Sequence, residues 1–122
     1  MAIACERMSD QRRRTDKSRL FGLVVRFELR EASEKSFDAL VRDTVARVRS
    51  EEPGTLMYAC HEVQGNPQAR IFYELYEDEG AFAAHEEQEH VKHFLNERKR
   101  YLTSPPRVEF LRPTLGKGVD VG

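Results

Sequence analysis

The alternation of apolar and polar residues predicts the strands of this chain. From Leu20 to Arg30 the apolar side chains fall on every second position, which is the pattern of a strand with one buried face. The same alternation runs through residues 55–63 and 70–77, and the turn sequence Gly65-Asn66-Pro67 joins these two segments into a hairpin. A short fourth strand is predicted over residues 107–112.

Apolar residues at helical spacing predict two helices between these strands. The first helix follows Ser33, a typical N-cap residue, and ends before Pro53-Gly54. Its apolar stripe consists of Phe37, Leu40, Val41, Thr44 and Val48. The second helix is capped by Asp78 and extends to about Leu102. Its second half has a stripe made of Val91, Phe94, Leu95, Arg98 and Leu102, and the acidic residues Glu86, Glu87 and Glu89 indicate a bend or a break into two helices.

The order β-α-β-β-α-β is typical of the ferredoxin-like α+β fold, with a four-stranded antiparallel sheet. The two helices can cover only one face of that sheet, yet both strand faces carry apolar residues. We assign Leu23, Val25, Phe27, Ile71, Tyr73 and Leu75 to one face, and Val24, Met57, Val63, Phe72 and Tyr76 to the other. A monomer would leave a large apolar patch in water, so the pattern predicts a homodimer that packs sheet against sheet.

Length and charge restrict the function classes. The 122 residues form one domain, predicted at residues 20–113, with a C-terminal tail at 114–122. Residues 1–19 contain six basic and three acidic residues and no apolar periodicity, so we expect a disordered basic arm, with polyanion binding as the alternative. The net charge of −1 argues against a nucleic-acid binder, and no apolar run is long enough to span a membrane. Cys5 and Cys60 form neither a disulfide framework nor a zinc motif, and we expect a cytoplasmic protein.

Three segments in the right order resemble the antibiotic biosynthesis monooxygenase family, over about 90 of the 122 residues. They are Glu52-Pro53-Gly54 followed by Leu56 and Tyr58, the strand segment Phe72-Tyr73-Glu74-Leu75-Tyr76-Glu77, and Ala81-Phe82-Ala83-Ala84-His85 followed by His90 and Phe94. The resemblance implies a dimeric α+β barrel. Members of the family include cofactor-free quinol and anthrone monooxygenases, haem-degrading enzymes, and an isomerase that acts on a phosphorylated sugar.

His85 is the strongest candidate for a catalytic residue. Imidazole exchanges protons near neutral pH, so His85 can act as a general base, with Glu74 on the third strand to orient or protonate it. The alternative is that the two residues form only a polar pair between helix and sheet. Candidate substrate-binding residues are Tyr58, Tyr76 and His90, which would hold an oxyanion, and Phe72, Phe82 and Phe94, which would form apolar walls. Each of these aromatic residues has core packing as its alternative role.

A metal site is a weaker interpretation of the histidines. His90 and His93 are three residues apart and share a helical face, but no further ligand stands at suitable spacing, so we expect no metal. We also expect no organic cofactor, because the chain has no glycine-rich nucleotide loop. Haem is a remote alternative, since the chain lacks the tryptophan that the haem-degrading branch uses.

With the resemblance, these residues favour a cofactor-independent monooxygenase that oxidises a hydroquinone- or polyketide-like aromatic substrate with O2. Two other functions stay open. One is an isomerase or other proton-transfer enzyme that acts on a small metabolite without O2. The other is a dimer that binds a small molecule and performs no chemistry.

Overall fold

One antiparallel sheet, covered by helices on one face, makes up the fold. The computed structural model describes residues 19–118. The strands are β1 (Phe21–Glu28), β2 (Thr55–Val63), β3 (Asn66–Tyr76) and β4 (Arg107–Leu111), and the helices are α1 (Glu34–Glu51), α2 (Glu79–Glu86) and α3 (Glu89–Glu97), followed by a short 3-10 helix at Arg98–Tyr101. The strand order is β2-β3-β1-β4. The predicted ferredoxin-like α+β fold is confirmed.

The chain termini limit what can be compared with the sequence predictions. The predicted basic arm at 1–19 lies, except for Arg19, outside the described residues, and so does the end of the predicted tail at 114–122. None of the described helices is long and apolar enough to cross a membrane.

The hairpin turn between β2 and β3 is tighter than predicted. Val63 pairs directly with Asn66, so only Gln64 and Gly65 lie in the turn, and Asn66 and Pro67 already belong to the strand. Gly65 has a φ of 80°, a left-handed conformation that glycine adopts without steric strain. Of the predicted turn residues only Gly65 lies in the turn, and the strand begins four residues earlier than the alternation indicated.

The second predicted helix is broken, as its acidic cluster indicated. The Asp78 side chain accepts a hydrogen bond from the backbone N–H of Ala81 at 2.8 Å and so caps α2. The helix ends at Glu86, and α3 begins at Glu89, after the extended backbone of Gln88. Ser33 occupies the N-cap position of α1 as predicted, but its side chain makes no capping hydrogen bond.

The register between the strands corrects the predicted division into two faces. Val25 lies opposite Phe72 and Phe21 lies opposite Tyr76, and directly opposed residues share one face of a sheet. Phe72 and Tyr76 therefore belong to the covered face with Val25, whereas Ile71, Tyr73 and Leu75 belong to the opposite face. The alternation within each strand was correct. The phase between the strands was wrong, because it depends on the register that the turns set.

The face of the sheet that no helix covers is largely apolar. Its rows pair Val24 with Tyr73, and Met57 with Leu75, and the face continues to Leu111 on the edge strand β4. Met57 is 45% exposed and Leu111 is 37% exposed. By contrast, the face toward the helices forms the core, whose largest fully buried side chains are Tyr76, Phe27, Phe37, Phe72 and Leu23.

Gly54 allows α2 to approach the loop between α1 and β2. A Cβ atom on Gly54 would lie 2.9 Å from the Cβ of Ala81, a distance that real side chains do not adopt. We expect Gly54→Ala to lower the free energy of unfolding by about 1–3 kcal/mol, measured by urea denaturation. Gly116→Ala, where nothing lies within 4 Å, is the matched control.

The double variant identifies the cause of that loss. If the clash with Ala81 is responsible, Gly54→Ala combined with Ala81→Gly will be no less stable than Ala81→Gly alone. Additive losses in the double variant would contradict this explanation.

Candidate active site

A buried carboxylate, Glu52, lies at the centre of the candidate site. Its Oε1 is 2.6 Å from Nδ1 of His85 and accepts a hydrogen bond from the hydroxyl of Thr55 at 2.7 Å. Its Oε2 is 2.6 Å from Nε2 of His90. One carboxylate therefore connects the end of α1 with both α2 and α3. All three side chains in the His85–Glu52–His90 group are at most 5% exposed.

The position of Glu52 is electrostatically unfavourable before its partners are counted. The residue is the C-cap of α1, and its backbone N–H donates to the carbonyl of Val48, so the carboxylate lies at the negative end of the helix dipole. Burial by itself would raise the pKa of Glu52, but the hydrogen bonds from Thr55 and the two histidines outweigh burial and hold that pKa below its usual range. Glu52 is therefore an anion in the folded protein.

The anion determines the tautomers of the two histidines. An ionised carboxylate can only accept hydrogen bonds, so Nδ1 of His85 and Nε2 of His90 each carry a proton. A neutral imidazole that carries its proton at Nδ1 has its free lone pair at Nε2. A carboxylate–imidazole pair of this kind is suited to general-base chemistry.

Aromatic rings enclose the imidazole of His85. Its ring centroid lies 5.2 Å from that of Tyr58, 5.2 Å from that of Tyr76 and 6.3 Å from that of Phe82, with Phe82 stacked nearly parallel. Burial raises the pKa of Tyr58, so its hydroxyl remains protonated. The surroundings fix the ring plane of His85 and keep water away from it.

Glu74 does not contact His85 in the way that the sequence predicted. Its Oε1 accepts a hydrogen bond from the hydroxyl of Tyr76 at 2.6 Å, and Glu52 occupies the orienting position at His85. Burial raises the pKa of Glu74, against the opposing effects of the Tyr76 hydrogen bond and of the nearby His85. Glu52 takes the position predicted for Glu74 because its ionised carboxylate, at the end of α1, reaches Nδ1 of His85.

A small cavity of about 30 Å³ lies between the helices and the covered face of the sheet. This volume exceeds the roughly 10–15 Å³ that a cavity needs to hold one water molecule. The cavity is lined by Leu23, Val25, Phe27, Tyr58, Glu74, Phe82, His85, Glu86, Val91, Phe94, Leu95 and Arg98. Apolar walls with a few polar groups are typical of small-molecule sites.

The cavity includes five of the eight predicted site residues, namely Tyr58, Glu74, Phe82, His85 and Phe94. The other three lie behind this lining. Tyr76 bonds Glu74, His90 bonds Glu52, and Phe72 packs between the rings of Tyr58 and Phe94. The structure thus gives these three a supporting position and not a direct contact with the cavity.

Sequence reasoning did not assign Glu52, Glu86 and Arg98 to the site. A buried glutamate at a helix C-terminus opposes the helix dipole, and that is the signal that could have identified Glu52. Arg98 interrupts the apolar stripe of the second predicted helix, and this interruption could have identified it as a site residue. Its guanidinium lies 5.5 Å from the ring centroid of Phe27 and 5.8 Å from that of Phe94.

The histidines do not form a metal site within the described range. His90 is buried against Glu52, whereas His93 is exposed on the same helix. Between residues 19 and 118, no group of three or more histidine, cysteine or acidic side chains is placed to hold a metal ion.

A second, larger depression is an open groove of about 640 Å³ between α1 and β2. Arg70 on its floor is paired with Asp38 through two hydrogen bonds of 2.9 Å. Burial raises the pKa of Cys60 in this groove to about 11, so its thiol is not a nucleophile at neutral pH. The groove therefore lacks the reactive groups that converge on the small cavity.

Comparison with known proteins agrees with this geometry. The sequence profile of the antibiotic biosynthesis monooxygenase family matches residues 20–97, which is more than half of the chain. The chain belongs to the antibiotic biosynthesis monooxygenase family. The three segments that carry the resemblance contribute Glu52, Glu74, His85 and His90, and the fold brings these residues to one place.

Solved structures share the family fold. A candidate antibiotic biosynthesis monooxygenase from Caulobacter crescentus CB15 matches with a TM-score of 0.76 and 20% identity, over 85% of this chain and 98% of that chain. A protein from Mycobacterium tuberculosis matches with a TM-score of 0.73 and 22% identity, over 81% and 98% of the two chains. At these identities the likeness shows the fold alone. A comparison with curated proteins found no match.

The lowered pKa of Glu52 predicts a specific pH dependence of stability. A carboxylate whose folded pKa lies below its unfolded value, about 4.3, stabilises the protein above that pH. This stabilisation is lost as the pH falls through the folded pKa. Between pH 5 and pH 3, we therefore expect the free energy of unfolding to fall more steeply for the wild type than for Glu52→Gln, measured by urea denaturation at each pH.

The exposed Glu87 provides the control for this measurement. Glu87→Gln should reproduce the wild-type slope. Parallel pH profiles for the wild type and Glu52→Gln would show that Glu52 is not held as an anion by its neighbours.

Proposed function

We propose that this family member is a cofactor-independent monooxygenase that oxidises a hydroquinone- or polyketide-like aromatic substrate with O2. The observation that carries the proposal is the buried Glu52–His85 pair at the edge of an aromatic cavity. His85 is the general base and Glu52 is its positioning residue. His90 acts through Glu52, since its Nε2–H holds the second carboxylate oxygen.

The proposed reaction needs no bound redox group because the substrate supplies the electrons. Nε2 of His85 removes an acidic proton, and the resulting phenolate or enolate carries enough electron density to reduce O2. Oxidation of a ring CH2 group to a carbonyl releases four electrons, and O2 accepts four electrons when one oxygen atom enters the product and the other leaves as water. The proton on His85 is used in the formation of that water.

The low polarity around His85 supports the chemistry in two ways. Rings such as Phe82 and Phe94 exclude water, which protects an oxygenated intermediate from side reactions. The same low polarity strengthens the attraction between Glu52 and a protonated His85. The hydroxyl of Tyr58, held beside His85, is the donor that meets the developing oxyanion.

Access to the site requires a change of shape. The cavity has room for a molecule the size of water or O2, but not for an aromatic ring. The side of the cavity formed by α3 and the 3-10 helix carries Val91, Phe94, Leu95 and Arg98. We infer that this side moves away from the sheet when a substrate binds, and that the break between α2 and α3 is the hinge.

Oxygen uptake tests the proposal directly. With a panel of hydroquinones and anthrones and no added flavin, haem or metal, we expect saturable O2 uptake by the purified protein. His85→Ala should lower kcat by about 10²–10⁴-fold, because a general base contributes a factor of this size. His93→Ala, which alters an exposed histidine on the neighbouring helix, should leave kcat unchanged.

The same assay separates the other candidate functions. Substrate conversion that continues without O2 would favour an isomerase or another proton-transfer enzyme that uses the same base. Ligand binding without conversion would favour a binding protein. Uptake that persists unchanged in His85→Ala would remove the proposed base from the mechanism.

We also propose that two copies of the chain associate through their uncovered sheet faces. Met57 and Leu111 are exposed in one row across this face, with the buried Leu75 between them, and an exposed apolar surface of this kind is typical of an interface. The charged residues on the face are confined to its end and edge, where Arg26 pairs with Glu28 and Arg107 with Glu109. The centre is therefore free for apolar contact.

A charge at Met57, on the edge strand β2 of that face, should separate the copies. We expect the wild type to sediment as a dimer and Met57→Glu to sediment as a monomer in analytical ultracentrifugation at micromolar concentration. Leu115→Glu is the control, because Leu115 is 93% exposed and lies outside the sheet. A monomeric wild type, or a dimeric Met57→Glu variant, would contradict the proposed interface.

A further inference from the structure

The open groove between α1 and β2 has the dimensions of a ligand site. Its volume of about 640 Å³ lies within the range of roughly 300–1,000 Å³ that is typical of small-molecule sites. Because β2 is an edge strand, the groove lies at the side of the sheet and is separate from the small cavity. The groove is lined by Asp38, Val41, Arg42, Val45, Ala46, Arg49, Tyr58, Ala59, Cys60, Glu62 and Arg70.

Aliphatic side chains form the apolar part of this lining. Val41 and Val45 lie one turn apart on α1, and the strand side contributes Tyr58 and Cys60. Burial keeps the Cys60 thiol protonated, with its pKa raised to about 11, so it acts here as a small apolar group. Tyr58 is the one aromatic ring among the described residues of the lining. The apolar part therefore fits an alkyl chain better than a stacked aromatic molecule.

The two carboxylates of the lining already have a counter-charge at one end of the groove. Asp38 accepts two hydrogen bonds of 2.9 Å from the guanidinium of Arg70, which is 4% exposed. Glu62 lies directly opposite Arg70 in the register between β2 and β3. Both carboxylates therefore lie close to one buried cation, and this end of the groove does not attract a further anion.

Arg42 and Arg49 carry the remaining positive charge of the groove. Neither forms a hydrogen bond or an ion pair with any residue between 19 and 118. They are seven positions apart, which puts them on the same face of α1 and about 10 Å apart along its axis. Three arginines and two carboxylates give the lining a net charge of +1, whereas the whole chain has a net charge of −1. The groove is thus locally positive on a slightly acidic protein.

We propose that this groove binds a medium-chain fatty acid: the carboxylate meets Arg49, and the alkyl chain lies on Val45 and Val41. Arg49 receives the carboxylate because it is eleven positions from Asp38, or about 16 Å along α1, and so lies farthest from the acidic end. A guanidinium binds a carboxylate through two parallel N–H···O hydrogen bonds. The inference concerns binding alone and does not depend on the monooxygenase proposal.

The experiment is a titration of the full chain, labelled with ¹⁵N, with decanoate and with decyltrimethylammonium. The two probes have the same alkyl chain and opposite head-group charges. Amide chemical shifts in NMR spectra give each Kd and show which residues respond. We expect decanoate to bind at least about tenfold more tightly than the cation, with the responses in the groove lining. Non-specific attraction would favour the cation, because the net charge of the chain is −1.

A carboxylate built into the groove should exclude the ligand. Ala46 is exposed, lies in the lining, and stands four positions after Arg42 and three before Arg49. A glutamate there can pair with either arginine and repels the carboxylate of the ligand. Ala46→Glu should therefore weaken decanoate binding by about tenfold or more. Ala39→Glu is the matched control, since Ala39 is exposed on the same helix outside the lining, and it should leave the Kd unchanged.

Single arginine variants locate the head group. Arg49→Met should weaken decanoate binding by about threefold or more and abolish the preference over the cation, and Arg42→Met should have a smaller effect. Arg47→Met should keep the wild-type Kd, because Arg47 pairs with Glu51 and does not line the groove. A larger loss in Arg42→Met than in Arg49→Met would contradict the assignment of the head group.

Several outcomes would overturn the proposal. They are an absence of saturable shifts with decanoate, equal affinity for the two probes, and unchanged binding in Ala46→Glu. Responses confined to the small cavity, for example at Val91, or to the uncovered sheet face, for example at Met57, would also place the ligand elsewhere. Groove shifts that depend on protein concentration without any ligand would assign the groove to a second copy of the chain instead. Every variant changes an exposed side chain, so each should melt at the wild-type Tm.

Discussion

The site depends on one buried carboxylate shared by two imidazoles. Glu52 joins the end of α1 to α2 through His85 and to α3 through His90, so one anion connects all three helices. A buried charge is tolerated only when its partners satisfy it, and removal of one partner leaves an uncompensated charge. The arrangement thus links the orientation of the proposed base to the packing of every helix on the covered face.

The sheet has one uncovered face because the helices all lie on its other face. Three helices and a 3-10 helix lie on one side, and the residues on the other side alternate with the core residues along every strand. When strands carry apolar side chains on both faces, one layer of helices can bury only one of those faces. The candidate cavity and the proposed dimer interface therefore lie on opposite faces of the same sheet, and β3 contributes Glu74 to the first and Leu75 to the second.

The sequence predicted the order of the elements, the break between α2 and α3, and five residues of the cavity lining, because each of these leaves a local pattern. It did not predict the phase between strands, since a shift of one residue in register exchanges the faces without changing any alternation. Nor did it identify the partner of His85. Glu52 is 33 positions away along the chain, whereas Glu74 lay on a strand that the fold already placed nearby. Arg98 was visible in an apolar stripe, but its place in the cavity lining is a property of the packed structure alone.

The cavity lining contains ionisable side chains, which protein cores normally exclude. Glu74, Glu86 and Arg98 together place three ionisable groups beside Phe27, Phe82 and Phe94, where apolar residues of similar size would pack without desolvating a charge. Tyr76 satisfies one oxygen of Glu74, but no described residue satisfies the buried Oε1 of Glu86. Selection for stability alone would replace such groups, because most proteins can gain stability by conservative changes at sites of this kind. Under the proposed function, a ligand that contacts these groups would explain their position beside His85.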